Sequence, residues 1–176
     1  MFSNGEQNVA RLGLKEGMLV ADLGTGTGFY ARAAGNHVGH TGKVYAVEVQ
    51  KDLVKKLQDE LQREGISNVE CIWGDIERKG GTKIAEKTMD AVIASNVLFQ
   101  VEDKIGFINE IKRILKPKGQ VLIIDWTESF GGMGPHPDKV ITENKALELF
   151  TSRGFKKVEN ISTLTHHYGI IFNSNE

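Results

Sequence analysis

The stretch Met18-Leu-Val-Ala-Asp-Leu-Gly-Thr-Gly-Thr-Gly-Phe29 constrains this chain more than any other. Its apolar run, Met18 to Ala21, suits a strand buried on both faces, and the run ends at Asp22. Gly24, Gly26 and Gly28 follow at alternate positions, and Phe29-Tyr-Ala-Arg-Ala-Ala34 opens a helix. A buried strand, a tight glycine turn and a helix N-terminus in this order make a seat for a nucleotide-like ligand. Glycine lets the backbone approach a ligand with no Cβ in the way. The helix start offers free N–H groups and a partial positive charge. The spacing is G-x-G-x-G. The dinucleotide fingerprint would place a small residue at position 29, which here is Phe29.

The rest of the chain supplies strands and helices in alternation. Residues 4 to 13 form a short polar lead-in with helical character through Val9 and Leu12. Lys43 to Glu48 is a second short strand ending in an acid, and Asp52 is placed to cap a helix whose Leu53, Leu57 and Leu61 share one face. Gly65 ends that helix. Val69 to Trp73 is a third strand, followed by Gly74-Asp75, and Met89 to Ala94 a fourth. Ile105, Ile108, Ile111 and Leu115 mark a helix face stopped by Lys116-Pro-Lys-Gly119, and Gln120 to Trp126 is a fifth strand. Thr127 to Pro137 is a loop. Thr142 to Arg153 is a helix with Leu147 and Phe150 inward, and Phe155 to Leu164 and His166 to Phe172 are two further strands. Strands alternating with helices imply parallel βαβ units in a doubly wound α/β sheet with helices on both faces. Such sheets bind ligands at the carboxyl ends of their strands, where Asp22, Glu48 and Asp75 stand.

Five segments in register give the chain a resemblance to the class I S-adenosylmethionine-dependent methyltransferases, over roughly residues 8 to 172. They are Asp22 to Gly28, Glu48 at the end of Val-Tyr-Ala-Val-Glu, Gly74-Asp75, Met89 to Asp103, and Ile114-Leu-Lys-Pro-Lys-Gly-Gln-Val-Leu-Ile. The resemblance implies a Rossmann-like sheet of seven strands in the order 3-2-1-4-5-7-6, the last antiparallel, in one domain over residues 1–176. It implies S-adenosyl-L-methionine as cofactor, with S-adenosyl-L-homocysteine as product. It also implies a cofactor site made of Asp22, Gly24, Thr25, Gly26, Gly28, Glu48, Val49, Asp75, Ile76 and Asn96. Glu48 would accept hydrogen bonds from the ribose hydroxyls, and Asp75 would accept from the adenine amine with Ile76 beside the ring. Asp22 would either bond the amino end of the methionine or brace the glycine loop.

Methyl transfer is an in-line displacement at an activated carbon, so positioning supplies much of its rate. Ser95-Asn-Val-Leu-Phe-Gln100 leaves the fourth strand where this family meets the methyl group. It carries neither the Asn-Pro-Pro-aromatic signature of adenine N6 enzymes nor a Pro-Cys nucleophile, and Gln100 stands where small-molecule relatives often have His. Phe99, Gln100 and Trp126 are the candidate acceptor-pocket residues. His136 in the loop and His166 and Tyr168 in the last strand are candidate bases. On a strand, His166 and Tyr168 would share one face.

Composition narrows the partners. A formal net charge of −1 lacks the basic excess of a nucleic-acid surface. The single cysteine, Cys71, permits no internal disulfide or thiolate metal cluster and reads as a small core residue. No metal is expected. Without a signal peptide or membrane span the protein is expected in the cytoplasm, as a monomer or homodimer, acting on a small or medium-sized acceptor. Two alternatives remain: a non-catalytic cofactor-binding module with a protein partner, and an RNA or protein methyltransferase.

Overall fold

The computed structural model describes residues 5–163 and 165–175. Seven strands form one sheet: β1 Leu19–Leu23, β2 Lys43–Glu48, β3 Val69–Trp73, β4 Met89–Ser95, β5 Leu115–Trp126, β6 Phe155–Ile161 and β7 His167–Ser174. Their spatial order is β3-β2-β1-β4-β5-β7-β6. β1 to β5 pair in parallel, while β7 runs antiparallel to both β5 and β6. Among the described residues five α-helices accompany them: α1 Gly5–Ala10, α2 Phe29–Val38, α3 Lys51–Glu64, α4 Lys104–Ile114 and α5 Glu143–Thr151.

Alternation along each strand divides the core into two layers. Ala91, Ile93, Leu122, Ile124 and Ile171 face the side where Val9 of α1, Tyr30 and Ala34 of α2, and Leu57 and Leu61 of α3 pack. Val92, Ala94, Val121, Ile123, Ile170 and Phe172 face Phe107, Ile111 and Ile114 of α4 and Phe150 of α5. Phe150 stacks on Phe172 at 4.7 Å between centroids, which anchors α5 over β7. Both faces of the central strands are therefore covered, as their near-continuous apolar sequences require.

Several local readings of the sequence are corrected. α3 starts after Gln50, so Asp52 lies inside its first turn rather than at its cap. The buried stripe of α3 is Val54, Leu57 and Leu61; Leu53 is only partly covered. On α4 the inward residues are Phe107, Ile108, Ile111 and Ile114, and Ile105 is exposed. β5 begins at Leu115, directly after the helix, not at Gln120. Met89 pairs with Leu115, the chain then bulges over residues 116–119, and pairing resumes at Ala91↔Gln120. Pro117 has no N–H to give the ladder, and Lys118 takes a left-handed φ of 62°, so these residues leave the sheet and return to it. α5 is shorter than expected at both ends: Thr142 is its N-cap, accepting from Lys145 N–H at 3.3 Å, and Ser152 is its C-cap. β6 ends at Ile161, and Leu164, read as the end of that strand, lies outside the described residues. Cys71 is half-buried rather than fully enclosed, and burial pushes its thiol up to about 11.

The crossover from β3 to β4 contains no helix. It is held instead by Glu110 of α4, a wholly buried carboxylate that accepts from Gly80 N–H at 2.9 Å, Thr82 N–H at 3.2 Å and Thr82 Oγ1 at 2.6 Å. Arg113 closes the network with donors 2.7 Å from both carboxylate oxygens. Burial alone would raise Glu110; Arg113, Thr82 and the two amides outweigh it and hold the group down at about 2.

Candidate functional site

The carboxyl ends of β1, β2, β3 and β4 open onto two adjoining cavities. One, of about 590 Å³, is lined at its base by Asp22 and the glycine loop, on one side by Phe29 and Tyr30, and on the other by Ser95, Asn96 and Gln100. The second, of about 360 Å³, is lined by Glu48, Val49, Leu53, Asp75, Ile76 and Val97, among others. Gly24, Gly26 and Gln100 border both, so the glycine loop is the shared floor and Gln100 stands at the junction.

The loop is fixed by two buried acids. Thr25 Oγ1 donates to Asp22 Oδ2 at 2.6 Å, and Ala31 N–H also bonds this carboxylate, which ties β1 to the start of α2. Burial raises Asp22 to about 6 against these bonds, with a small push from the charge of Glu48. Gly26 N–H donates to Glu48 Oε2 at 3.1 Å, and Val49 N–H and Gln50 N–H donate to Oε1 at 2.9 and 3.0 Å. Glu48 thus joins the glycine loop to the entry of α3. Oε1 has its acceptor capacity filled, while Oε2 keeps one lone pair free of these backbone bonds.

Two glycines of the loop do different work. Gly24 has a φ of 71°, and a Cβ there would lie 2.5 Å from Val97 Cγ2, so the chain after β4 packs directly on it. Gly26 has a φ of 54° and nothing within 4 Å of where a Cβ would stand: its bare face looks into open space. This is the cradle that a ligand lying along the loop would fill. Gly28 lines neither cavity; it packs against Leu57 of α3, 2.5 Å from where its Cβ would be.

Beyond β3, Asp75 accepts from Glu77 N–H at 2.9 Å and lies 3.1 Å from Arg78 Nε. Beyond β4, Asn96 adopts a left-handed φ of 57°, and its backbone oxygen accepts from Gln100 Nε2 at 2.8 Å. Its side-chain oxygen is buried with no hydrogen-bond partner among the described residues.

Of the residues singled out in the sequence, Asp22, Gly24, Thr25, Gly26, Glu48, Val49, Asp75, Ile76, Asn96 and Gln100 all line one cavity or both. Phe99 and Trp126 line neither. Phe99 is half-buried and gives its amide to Asp125, while the Trp126 ring lies against His167, tilted at 41° with 4.2 Å between centroids. His136, His166 and Tyr168 line neither either. His136 is exposed and paired with Asp138. His166 does not share a strand face with Tyr168, because it precedes β7 with a φ of 71°; it stacks on Phe130 at 3.9 Å and bonds Glu128 at 2.8 Å. Tyr168 is buried, and burial together with the nearby charge of Asp125 pushes its phenol far above the ordinary range. Among the described residues no three His, Cys, Asp or Glu side chains converge as a metal site.

Sequence reasoning missed Phe29, Tyr30 and Leu53 as cleft residues. Phe29 reads as a helix opener, yet it is 45% exposed and forms a cavity wall. Leu53 reads as core. The signal was Val54, which completes a 54–57–61 stripe and frees Leu53 to face the cleft.

Comparison with known proteins agrees with this architecture. A family model described as a methyltransferase domain matches residues 14–170. A ubiquinone/menaquinone biosynthesis C-methyltransferase of Hydrogenovibrio crunogenus is 32% identical over 117 residues, 66% of this chain and 45% of that protein. An arsenite methyltransferase of Halobacterium salinarum is 30% identical over 131 residues, 74% of this chain and 32% of that protein. The chain therefore spans less than half the length of these curated relatives. The crystal structure of an S-adenosylmethionine-dependent methyltransferase from Aquifex aeolicus superposes with a TM-score of 0.88 at 28% identity, covering 97% of this chain and 89% of that one. With its strand order, its glycine loop and the family match over residues 14–170, the chain belongs to the S-adenosylmethionine-dependent methyltransferase family.

Proposed function

We propose that this chain forms a single methyltransferase domain that transfers a methyl group from S-adenosylmethionine to a small or medium-sized acceptor. The observation that carries the reading is the pair of cavities meeting over Gly24 and Gly26, with Asp22 in one and Glu48 and Asp75 in the other. That distribution suits a ligand with a cationic amino-acid end and a ribose–adenine end. Asp22 would bond the ammonium, Glu48 the ribose hydroxyls and Asp75 the adenine amine, with Ile76 and Leu53 against the ring. Asn96 Oδ1, buried without a partner among the described residues, suits a donor from the amino-acid end. When bound, S-adenosylmethionine supplies a methyl group already activated by a sulfonium, and the chain's task is alignment and exclusion of water. Gln100, at the junction of the two cavities, has an amide that orients without taking a proton. Phe29, Tyr30 and Gln100 surround the space left for the acceptor.

The small-acceptor part of the reading is supported by the short connections around the cleft and by the relatives named for quinone biosynthesis and arsenite. A cytoplasmic location belongs to the same proposal. Among the described residues no helix is long and apolar enough to cross a membrane. Calorimetry with S-adenosylmethionine and NAD tests the cofactor: micromolar binding of the first and none of the second is expected, and tighter binding of NAD would overturn the reading. Labelled cofactor with a metabolite pool tests turnover; binding without transfer to any acceptor would favour a non-catalytic module.

A further inference from the structure

A short helical turn after β4 supplies a wall of both cavities, with Asn96 and Gln100 facing one and Val97, Gln100 and Val101 the other. Gln100 N–H and Val101 N–H donate to Val97 O at 2.9 and 3.1 Å, closing the turn. The first amides of such a turn have no partner within it. Here they go to a different strand. Phe99 N–H donates to Asp125 Oδ2 of β5 at 3.1 Å, and Leu98 N–H bonds the same carboxylate. Trp126 N–H donates to Oδ1 at 2.8 Å. At the other end of the turn, Lys104 Nζ donates to Val101 O at 2.6 Å, and its charge faces Asp125 from α4. The turn in turn bears on the glycine loop through Val97, which occupies the space beside Gly24.

Asp125 is wholly buried. Tyr168 stands opposite it in the β5–β7 register, but among the described residues the Tyr168 hydroxyl has no hydrogen-bond partner, and Glu143 of α5 adds a second negative charge on that side. The carboxylate is thus spent on the amides of the cleft wall rather than on its neighbour across the sheet. A buried carboxylate is costly unless it is hydrogen-bonded, and the amides that bond it are those of Leu98 and Phe99 in the turn and of Trp126, the last residue of β5.

We propose that Asp125 is a positioning residue for the cleft: by holding the Leu98 and Phe99 amides it seats the turn that carries Asn96, Val97 and Gln100 against the glycine loop. It touches no ligand itself. The proposal rests on the reading of the cleft as the cofactor site.

Asp125→Asn keeps the shape and removes the charge, and its NH2 donor replaces one of the two acceptor oxygens that the Leu98, Phe99 and Trp126 amides share. The expected result is a melting temperature equal to or above that of the wild type, with S-adenosylhomocysteine affinity lowered about tenfold, the scale of one hydrogen bond to a charged group. Amide exchange at Leu98 and Phe99 should quicken by a similar factor. A merely structural role would move stability and leave the affinity of the folded variant unchanged, and that outcome overturns the proposal. Should the variant fail to fold, exchange in the wild type decides: Leu98 and Phe99 amides that exchange as freely as exposed loop amides overturn it, and protected ones support it. A wild type that binds no S-adenosylhomocysteine overturns the cofactor reading and the proposal with it, whereas tight wild-type binding with an unaltered variant overturns the proposal alone.

Discussion

Glu48 and Asp22 are both buried acids at strand ends, yet their chemistry differs. Glu48 binds three backbone amides, one from the glycine loop and two from the entry to α3. Replacing it by alanine strands those amides and removes the acceptor proposed for the ribose. Glu48→Ala is therefore expected to weaken S-adenosylmethionine binding by about 1.5–3 kcal/mol and to lower the melting temperature as well, which calorimetry and a thermal melt on the same sample will separate. Asp22 braces the loop through Thr25 and Ala31 and still borders the larger cavity. The sequence left its two roles open, and the geometry supports loop bracing directly. Asp22→Asn keeps an acceptor for Thr25 but loses the charge proposed to meet the ammonium. At pH 8, where Asp22 is ionised, the variant is expected to bind S-adenosylmethionine at least about tenfold more weakly while keeping its fold by circular dichroism. Equal affinities would remove Asp22 from the ligand's contacts.

At the scale of elements, the glycine loop separates packing from binding. Gly24→Ala forces a methyl group into Val97 at a left-handed φ, so it should destabilise the fold and disturb the cleft together. Gly26→Ala meets nothing, and its penalty is the left-handed backbone alone, about 1–2 kcal/mol. The expected outcome is a Gly26→Ala protein that melts within several degrees of wild type but has lost most of its affinity for the cofactor, and a Gly24→Ala protein impaired in both. The strand–turn–helix containing these glycines was legible because each part carries a local signal: an apolar run, alternate glycines, a helix opening. Glu48 and Asp75 were legible because strand ends are local too. What sits on the loop was not. Val97 against Gly24, Asp125 against Phe99 and Glu110 against Thr82 are contacts between segments distant in sequence, and no periodicity records them. Of the three acceptor candidates Gln100 borders both cavities, while Phe99 and Trp126 stand outside them for a related reason. Phe99 follows the end of β4 and Trp126 closes β5, positions that cleft residues take, but the turn after β4 rotates Phe99 away from both cavities, and the His167 ring lies against Trp126.

For the molecule as a whole, three buried carboxyls set how stability responds to acid, and they act in opposite directions. Asp22 and Asp125 are raised from 3.8 to about 6, chiefly by burial. Between pH 7 and about 4 the native state therefore binds protons that the unfolded chain does not, and stability rises as pH falls through this window. The gain is of order 2–3 kcal/mol for each group, from a shift of about two units at 1.36 kcal/mol per unit. Glu110 is lowered from 4.5 to about 2 against its burial by Arg113, Thr82 and the amides of the β3–β4 crossover. Its contribution is fully present above about pH 4.5 and is lost as pH falls toward 2. Stability should accordingly peak between about pH 4 and 5 instead of near neutrality, with a steep decline below, and melts at pH 7, 5 and 3 will trace the curve. The double variant Asp22→Asn with Asp125→Asn should flatten the limb between pH 7 and 4, because neither site then takes up a proton. Glu110→Gln should leave that limb intact, lower stability at pH 7 by about 3–5 kcal/mol by leaving Arg113 without its charged partner, and remove most of the acid decline. A wild-type protein whose melting temperature falls steadily from pH 7 to pH 5 would show that Asp22 and Asp125 are not the neutral-preferring carboxyls their burial implies.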